Sequence, residues 1–266
     1  MSAAHLSGED LLDALVAGEV GVAEPDGEGG WRVNAWVKEE LLAVFRGSDN
    51  VVHPPVGGAA AGAQAGFVDK RALPARTFAP ADRVRLVPGG SAVRRGAFVA
   101  PGVVLMPPCY VNVGAWIGPG AMIDSHALVG SCAQVGARVH VSAAAQLGGV
   151  LEPVGALPVI IEDDVLVGGQ CGVYEGVRVR AGAVLAAGVI LTASTPVFDL
   201  VRGGERVGAD GAPLEIPPRA VVVPGTRPAR GARARESGLA LACALIVKYR
   251  DDSTDRATAL EEALRS

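Results

Sequence analysis

Large aliphatic side chains return at every sixth position through the middle of this chain. Val93, Val99, Leu105, Val111, Ile117, Ile123, Val129, Val135, Val141 and Leu147 keep that register without a break. It resumes at Ile161, Val167, Val173, Val179, Leu185, Leu191 and Val197. Four places after each of the first nine stands a small or modest residue: Ala97, Val103, Cys109, Ala115, Ala121, Ala127, Ala133, Val139 and Ala145. An α-helix repeats near 3.6 residues and a half-buried strand at 2, so neither gives a strict six over this length. A hexapeptide repeat is the mark of a parallel β-helix. Each hexad then makes one flat side of a prism, three hexads complete a turn, and turns stack at the strand spacing of about 4.8 Å. The large aliphatic points into the lumen. Gly118, Gly130, Gly136, Gly148 and Gly168 directly follow inward aliphatics, where the chain is expected to bend and a missing Cβ helps. The hexapeptide form is a left-handed coil, an exception to the usual right-handed crossover.

The register breaks once. Leu147 and Ile161 are fourteen residues apart instead of six, so "GGVLEPVGALPVI" throws an eight-residue excursion out of the coil. Such a loop costs little closure entropy and is a common carrier of function. Ahead of the coil, residues from about 8 to 47 read as helical with a hairpin inside. Leu11, Leu12, Leu15 and Val16 form an apolar face, "AEPDGEGGW" is rich in turn formers, "WRVNAW" alternates as a strand, and "WVKEELLAVF" returns to helical spacing. Trp31 and Trp36 are assigned to the core of this cap. Residues 54–66 are a low-complexity loop. Arg83, Arg85, Arg94 and Arg95 read as a solvated basic surface. Behind the coil, "AVVVPG" at 220–225 is a final coil edge, "LALACALIVKY" a strand and "RATALEEALRS" a short helix. These ends are expected to cap the strand edges that a stack of repeats leaves open. The resulting division is an N-terminal α/β cap and linker (1–90), a β-helix domain (91–225) and a C-terminal extension (226–266).

Composition narrows the classes. Of 266 residues, half are hydrophobic and only 4% aromatic, as a narrow lumen of Val, Ile, Leu and Ala requires. A net charge of −4 argues against non-specific nucleic-acid binding. The N-terminus shows no basic region followed by an apolar run, and no stretch of about 18 apolar residues occurs, so the protein is expected in the cytoplasm. Cys109, Cys132, Cys171 and Cys243 lack CxxC spacing and read as buried reduced thiols.

Motifs for phosphate cradles, zinc sites and nucleophile elbows are missing. Inside the coil, His126 and His140 are the only histidines, and His140 is placed at a hexad corner in a solvent-facing or hydrogen-bonded role. Glu162, Asp163 and Asp164 read as an exposed acidic turn. Asp124, which follows Ile123 at a corner, and Glu175, two places after Val173, stand in apolar, Gly-rich surroundings. Desolvation there could raise a carboxyl pKa toward base duty.

At these residues the sequence resembles the bacterial tetrahydrodipicolinate N-succinyltransferases, within the hexapeptide-repeat acyltransferases. "VLMPPCYVNVGAWIGPGAMIDSHALVGSCAQVG" is similar to that family's central stretch. "GGVLEP" and "IIED" match as they stand, "LACALIVKYR" resembles the C-terminal strand, and "VAEPDGEGGWRVNAWVKEELLAVF" the N-terminal cap. The resemblance covers most of the chain. It implies a left-handed parallel β-helix and a homotrimer with active sites between neighbouring coils. Succinyl-CoA is the implied donor, no metal takes part, and tetrahydrodipicolinate in its open form, 2-amino-6-oxopimelate, is the acceptor. The family's acidic site residues fall on Asp124 and Glu175, and its substrate-carboxylate arginine on Arg85. Glu175 is then either general base or, through an acyl anhydride, nucleophile, and Asp124 binds and orients the amine. Arg227, Arg230, Arg233 and Arg235 follow the last coil, and Arg230 and Arg233 are the candidates for the CoA phosphates.

The sequence departs from the family near this site. Asp-Thr-Trp is Asp124-Ser125-His126, and "LSGG" is Val141-Ser142-Ala143-Ala144. In Gly168-Gly169-Gln170-Cys171-Gly172-Val173-Tyr174-Glu175-Gly176 an arginine and a glutamate are lost. A paralogue acylating another amino-dicarboxylate, and a non-catalytic scaffold or sensor, are therefore the alternative readings. Carbonic anhydrase-like coils need a metal-binding histidine set that two coil histidines at unrelated positions do not supply.

Overall fold

In the computed structural model the described residues are 6–54, 66–206, 208 and 212–251. The C-terminal helix expected at 256–266 and most of the low-complexity loop lie outside them.

The hexads close into a three-faced parallel β-helix. The first face stacks Arg85–Leu86, Val104–Leu105, Met122–Ile123, His140–Val141, Leu166–Val167 and Val184–Leu185. The second stacks Ala92–Val93, Tyr110–Val111, Leu128–Val129, Gln146–Leu147, Gly172–Val173 and Ile190–Leu191. The third stacks Phe98–Val99, Trp116–Ile117, Gln134–Val135, Ile160–Ile161, Arg178–Val179 and Glu215–Ile216. Register advances by one rung of three hexads: Ile117 lies on Val135 and Ile123 on Val141. Across the excursion Val135 still meets Ile161, so the extra residues leave the stack undisturbed. Every aliphatic of the six-residue register is buried, from Val93 to Val197. The first rung is entered at Arg85–Leu86, inside the stretch assigned above to the cap.

The glycines after inward aliphatics do a different job from the one expected. At most corners the left-handed residue comes third after the aliphatic. There stand Gly96, Gly114, Gly120 and Gly182, but also His126, Cys132, Arg138, Ala144, Asp164 and Gln170. Gly118 and Gly168 are needed for close approach instead. A Cβ on Gly118 would lie 2.6 Å from the carbonyl carbon of Gly136 in the next rung, and one on Gly168 2.5 Å from Leu185 O. Stacked corners at strand spacing leave no room for a side chain aimed along the axis.

The N-terminal cap has the expected parts. Helix α1 (Gly8–Ala17) and helix α2 (Ala35–Gly47) flank an antiparallel hairpin of β1 (Ala23–Pro25) and β2 (Trp31–Val33). Leu11, Leu12, Leu15, Val22, Val37 and Leu41 form a second apolar core that also takes in Val113 and Cys132 from the coil. The cap thus sits on the edge between the second and third faces. A further hairpin, β3 (Asn50–His53) with β4 (Phe67–Lys70), follows. At the other end, Ala220–Pro228 stacks on the first face through Val221 and Val222, then runs straight on where earlier rungs turn. Helix α3 (Ala232–Glu236) links it to the antiparallel Ala240–Tyr249.

Two groups expected to be solvated are tied down. Arg94 holds Asp69 through Nη2 at 2.6 and 2.7 Å and lies 5.0 Å over the Phe45 ring, while Arg95 pairs with Glu9 and Asp13 of α1. These arginines fasten the cap to the first rungs. Glu162 is no exposed turn residue. It accepts from Arg178 Nε at 2.8 Å, Arg180 Nε at 3.2 Å, Trp31 Nε1 at 3.2 Å and the Ala181 N–H at 3.0 Å. The nearly buried Arg178 also donates to Glu215 and to Gly29 O, so one guanidinium joins the third face to the β1–β2 hairpin. Asp163 and Asp164 are engaged too, by the Ala137 N–H and by Arg138.

Two tests follow from this packing. Ile123→Asp puts an unpaired charge into an apolar lumen at a cost of several kcal/mol, and circular dichroism should show an unfolded coil. Burial raises the Glu162 pKa, but the donors from Arg178, Ala181 and Trp31 outweigh it and hold the carboxyl below its ordinary range. Its stabilisation is therefore complete above that range and lost as pH falls through the depressed folded value. Glu162→Gln should cost about 2 kcal/mol at neutral pH, and the difference in urea midpoint between the two proteins should shrink in acid. A pH-independent difference would refute the ionic role.

Candidate active site

Each candidate residue takes its place from the rung and corner it occupies. Asp124 follows Met122–Ile123 and opens the corner between the first and second faces. Its Oδ1 accepts the Ser125 N–H at 2.7 Å, and its Oδ2 lies 3.7 Å from His140 Nε2. His140 is not at a corner. It pairs with Met122 in the first-face ladder, its side chain mostly covered, one rung above the residue that leads into Asp124. The sequence carried the signal: a residue just before an inward aliphatic lies on a face, and one rung back from 140 is 122. His126 is the left-handed residue of the Asp124 corner and borders a shallow groove with Pro108, Tyr110, Leu128 and Gln146.

Arg85 begins the outward column Arg85–Val104–Met122–His140 on that same face, exposed, two rungs before Met122. At strand spacing that is about 10 Å along the axis. Arg85, Asp124 and His140 therefore share one face and its edge.

Glu175 does not join them. It lies after Gly172–Val173, at the corner between the second and third faces and two rungs further along. Within one chain the two carboxylates are on different edges of the prism. Glu175 is exposed, so a single chain does not desolvate it. Its backbone has φ +54°, followed by Gly176 at φ +71°, whereas most corners have a single left-handed residue. Non-glycine residues avoid this region, and such strain gathers at functional sites. Glu175 Oε2 accepts the Ala193 N–H at 3.0 Å from the next rung, which fixes the carboxylate along the axis. The excursion closes in from the other side: a Cβ on Gly176 would lie 2.7 Å from Leu157 O.

The glutamate missing at Gly172 has a structural counterpart. A Cβ there would meet the Tyr174 ring at 2.5 Å, and one on Gly148 would meet it at 2.7 Å. Two glycines thus cradle an aromatic ring beside Glu175. Arg230 and Arg233 sit in the link between the two long C-terminal strands, exposed and without a side-chain partner among the described residues. The four cysteines are free and buried, and burial pushes the Cys132 thiol up to about 12. Among the described residues no helix is long and apolar enough to cross a membrane.

With this geometry in view, similarity to known proteins is informative. Residues 7–46 match the tetrahydrodipicolinate N-succinyltransferase N-terminal family, and residues 158–193 the hexapeptide repeat of succinyl-transferase. A 2,3,4,5-tetrahydropyridine-2,6-dicarboxylate N-succinyltransferase of Rhodopseudomonas palustris strain TIE-1 is 47% identical over 97% of this chain and 88% of its own. The chain belongs to this succinyltransferase family. The enzyme of the same name from Bradyrhizobium diazoefficiens is 45% identical over the same shares. Among solved structures, a Campylobacter jejuni chain described with a related succinyltransferase name is 18% identical, with TM-score 0.48, covering 90% of this chain and 63% of that one. The expected left-handed form of the β-helix goes with the family.

Proposed function

We propose that the protein moves a succinyl group from succinyl-CoA to the amine of tetrahydrodipicolinate, opened to 2-amino-6-oxopimelate, on the route to diaminopimelate and lysine. Family membership supports the activity. The observation that carries the site is the placing of Asp124 and Glu175 on different edges of one prism. A working pair then needs two chains, with the first–second edge of one coil against the second–third edge of its neighbour. Three coils around an axis satisfy this with one kind of contact, because a head-to-tail interface closes into a ring. A cytoplasmic homotrimer is the assembly we infer.

In this reading Arg85 holds an acceptor carboxylate through the two parallel hydrogen bonds that a guanidinium offers. Asp124 binds and orients the substrate amine, whose ammonium proton has gone to solvent, and His140 stands behind it. The amine nitrogen loses a proton to Glu175 Oε1, Oε2 being held by Ala193, and attacks the thioester carbonyl carbon. Corner N–H groups receive the negative charge that develops on oxygen. The C–S bond breaks, the amide remains, and the departing CoA thiolate takes the proton from Glu175 and leaves as the thiol. Closure between coils supplies the desolvation that one chain lacks. Arg230 and Arg233, on a strand pair that runs out past the first–second edge, are proposed to meet the CoA phosphates.

Three measurements test this. Glu175→Gln is nearly isosteric and should lose at least the roughly 10²-fold typical of a missing general base while melting as wild type does; near-wild-type turnover would reject it. Mixing Asp124→Asn and Glu175→Gln chains, unfolded and refolded together, should restore about one quarter of wild-type activity, because random trimers rebuild intact sites with that frequency when each site draws on two chains. No restoration would place both carboxylates of a site in one chain. Arg85→Ala should raise the KM for the acceptor strongly and leave CoA binding nearly unchanged; equal losses for both ligands would point to a structural role.

A further inference from the structure

Lys38 of α2 is fully buried, a rare state for a lysine. Its neighbours on the same helix face, Val37, Leu41 and Val44, are ordinary core residues. An apolar side chain would fill the place without the cost of desolvating an amine. Among the described residues no carboxylate pairs with it. The Nζ donates to the backbone oxygen of Ala156 at 2.6 Å, and the buried Cys132 thiol is an ionisable neighbour. Ala156 belongs to the excursion that interrupts the hexads. The same excursion is fastened by the Val150 N–H to Ser131 O at 3.1 Å and by Leu151 packing into the core of the cap. One residue beyond Ala156, the carbonyl of Leu157 lies against Gly176, whose neighbour Glu175 is held at positive φ. Cap, excursion and strained corner are therefore in direct sequence along one edge of the prism.

We propose that Lys38 is a positioning residue for the acyl transfer: its buried amine pins Ala156, and so sets Leu157 against Gly176 and fixes the backbone that presents Glu175. The pinning rests on the structure alone, and its catalytic consequence rests on the reading of Glu175 given above. The arrangement explains why a polar group is kept where packing alone calls for none. A backbone carbonyl inside a loop needs a donor that reaches it from outside the loop, and an amine on a flexible four-carbon stem can do so. Burial also lowers the Lys38 pKa, and the amine can donate to the Ala156 oxygen in either protonation form.

The experiment compares wild type with Lys38→Met, close in volume and without a donor. Its readouts are thermal melting, amide hydrogen exchange by peptide, and kcat and KM for succinyl-CoA and the acceptor. The expected result is a melting point close to wild type and faster exchange confined to residues 150–157. With it, kcat should fall by up to about 10²-fold, the cost of a displacement near 1 Å, and both KM values should stay within about twofold, since substrate binding is not what Lys38 touches. Unchanged exchange in 150–157 together with unchanged kcat overturns the proposal. So does activity lost only in step with a lowered melting point and faster exchange throughout the coil, which is a purely structural role. If the wild type itself shows no transfer, the proposed reaction fails, and the exchange comparison still decides whether Lys38 pins the excursion. Should Lys38→Met not fold, Lys38→Leu, also apolar and without a donor, carries the same comparison.

Discussion

The structure depends on a closed lumen that takes one large aliphatic and one smaller side chain from each hexad. Eighteen residues make a rung, three of them large aliphatics, and each aliphatic lies on its counterpart in the next rung. Such a lumen has no slack. A register slip of one residue would turn every inward side chain outward, so the stack locks the identity of each corner along its whole length. The excursion after Leu147 shows how strong that lock is. The inserted residues leave at one corner, and the chain re-enters on the same rung plan.

Because the lumen takes up the aliphatics, chemistry is left to the corners and the outward columns. There the fold holds polar residues in conformations they would not adopt freely. Six non-glycine corner residues between His126 and Gln170 are left-handed, and Glu175 joins them with a second left-handed residue directly behind it. The cost is carried by the stacked ladders on either side. The prism also separates groups by design. Asp124, Arg85 and His140 share the first face and its edge, and Glu175 occupies another edge. A rigid triangular rod cannot fold one edge onto another, so bringing the two carboxylates together is a matter of association between chains, which is the proposed trimer.

Charge networks tie the cap to the rod. Arg94, Arg95 and Arg178 supplement the apolar contact between cap and coil, each bridging elements distant in sequence. Paired and partly buried guanidiniums of this kind fix orientation more than they add stability. They set α2 and its buried lysine over the corner where the excursion leaves the coil.

The fold was legible in the sequence because the hexad is a short-range rule: one inward residue, one crowded small residue and a corner, repeated until chance is excluded. The hairpin-in-helices cap and the long C-terminal strand were legible for the same reason, as local patterns of apolar and turn residues. The family motifs pointed to Asp124, Glu175 and Arg85 as the candidates on which the proposed site rests. What local pattern could not carry was the partner of each polar side chain. Glu162 looked like a solvated turn residue and is the meeting point of two arginines, a tryptophan and a backbone amide. Their positions, 31, 178, 180 and 181, come together only through the rung period and the docking of the cap. His140 was assigned to a corner, although its place just before an inward valine sets it on a face beside Asp124. Lys38 sat unremarked in a helical repeat, since helical spacing says which face is buried but not that a loop carbonyl more than a hundred residues away waits there for a donor. Short-range periodicity is written in single residues. Contacts between edges, cap and excursion depend on how rigid elements are stacked, and only the tertiary structure decides them.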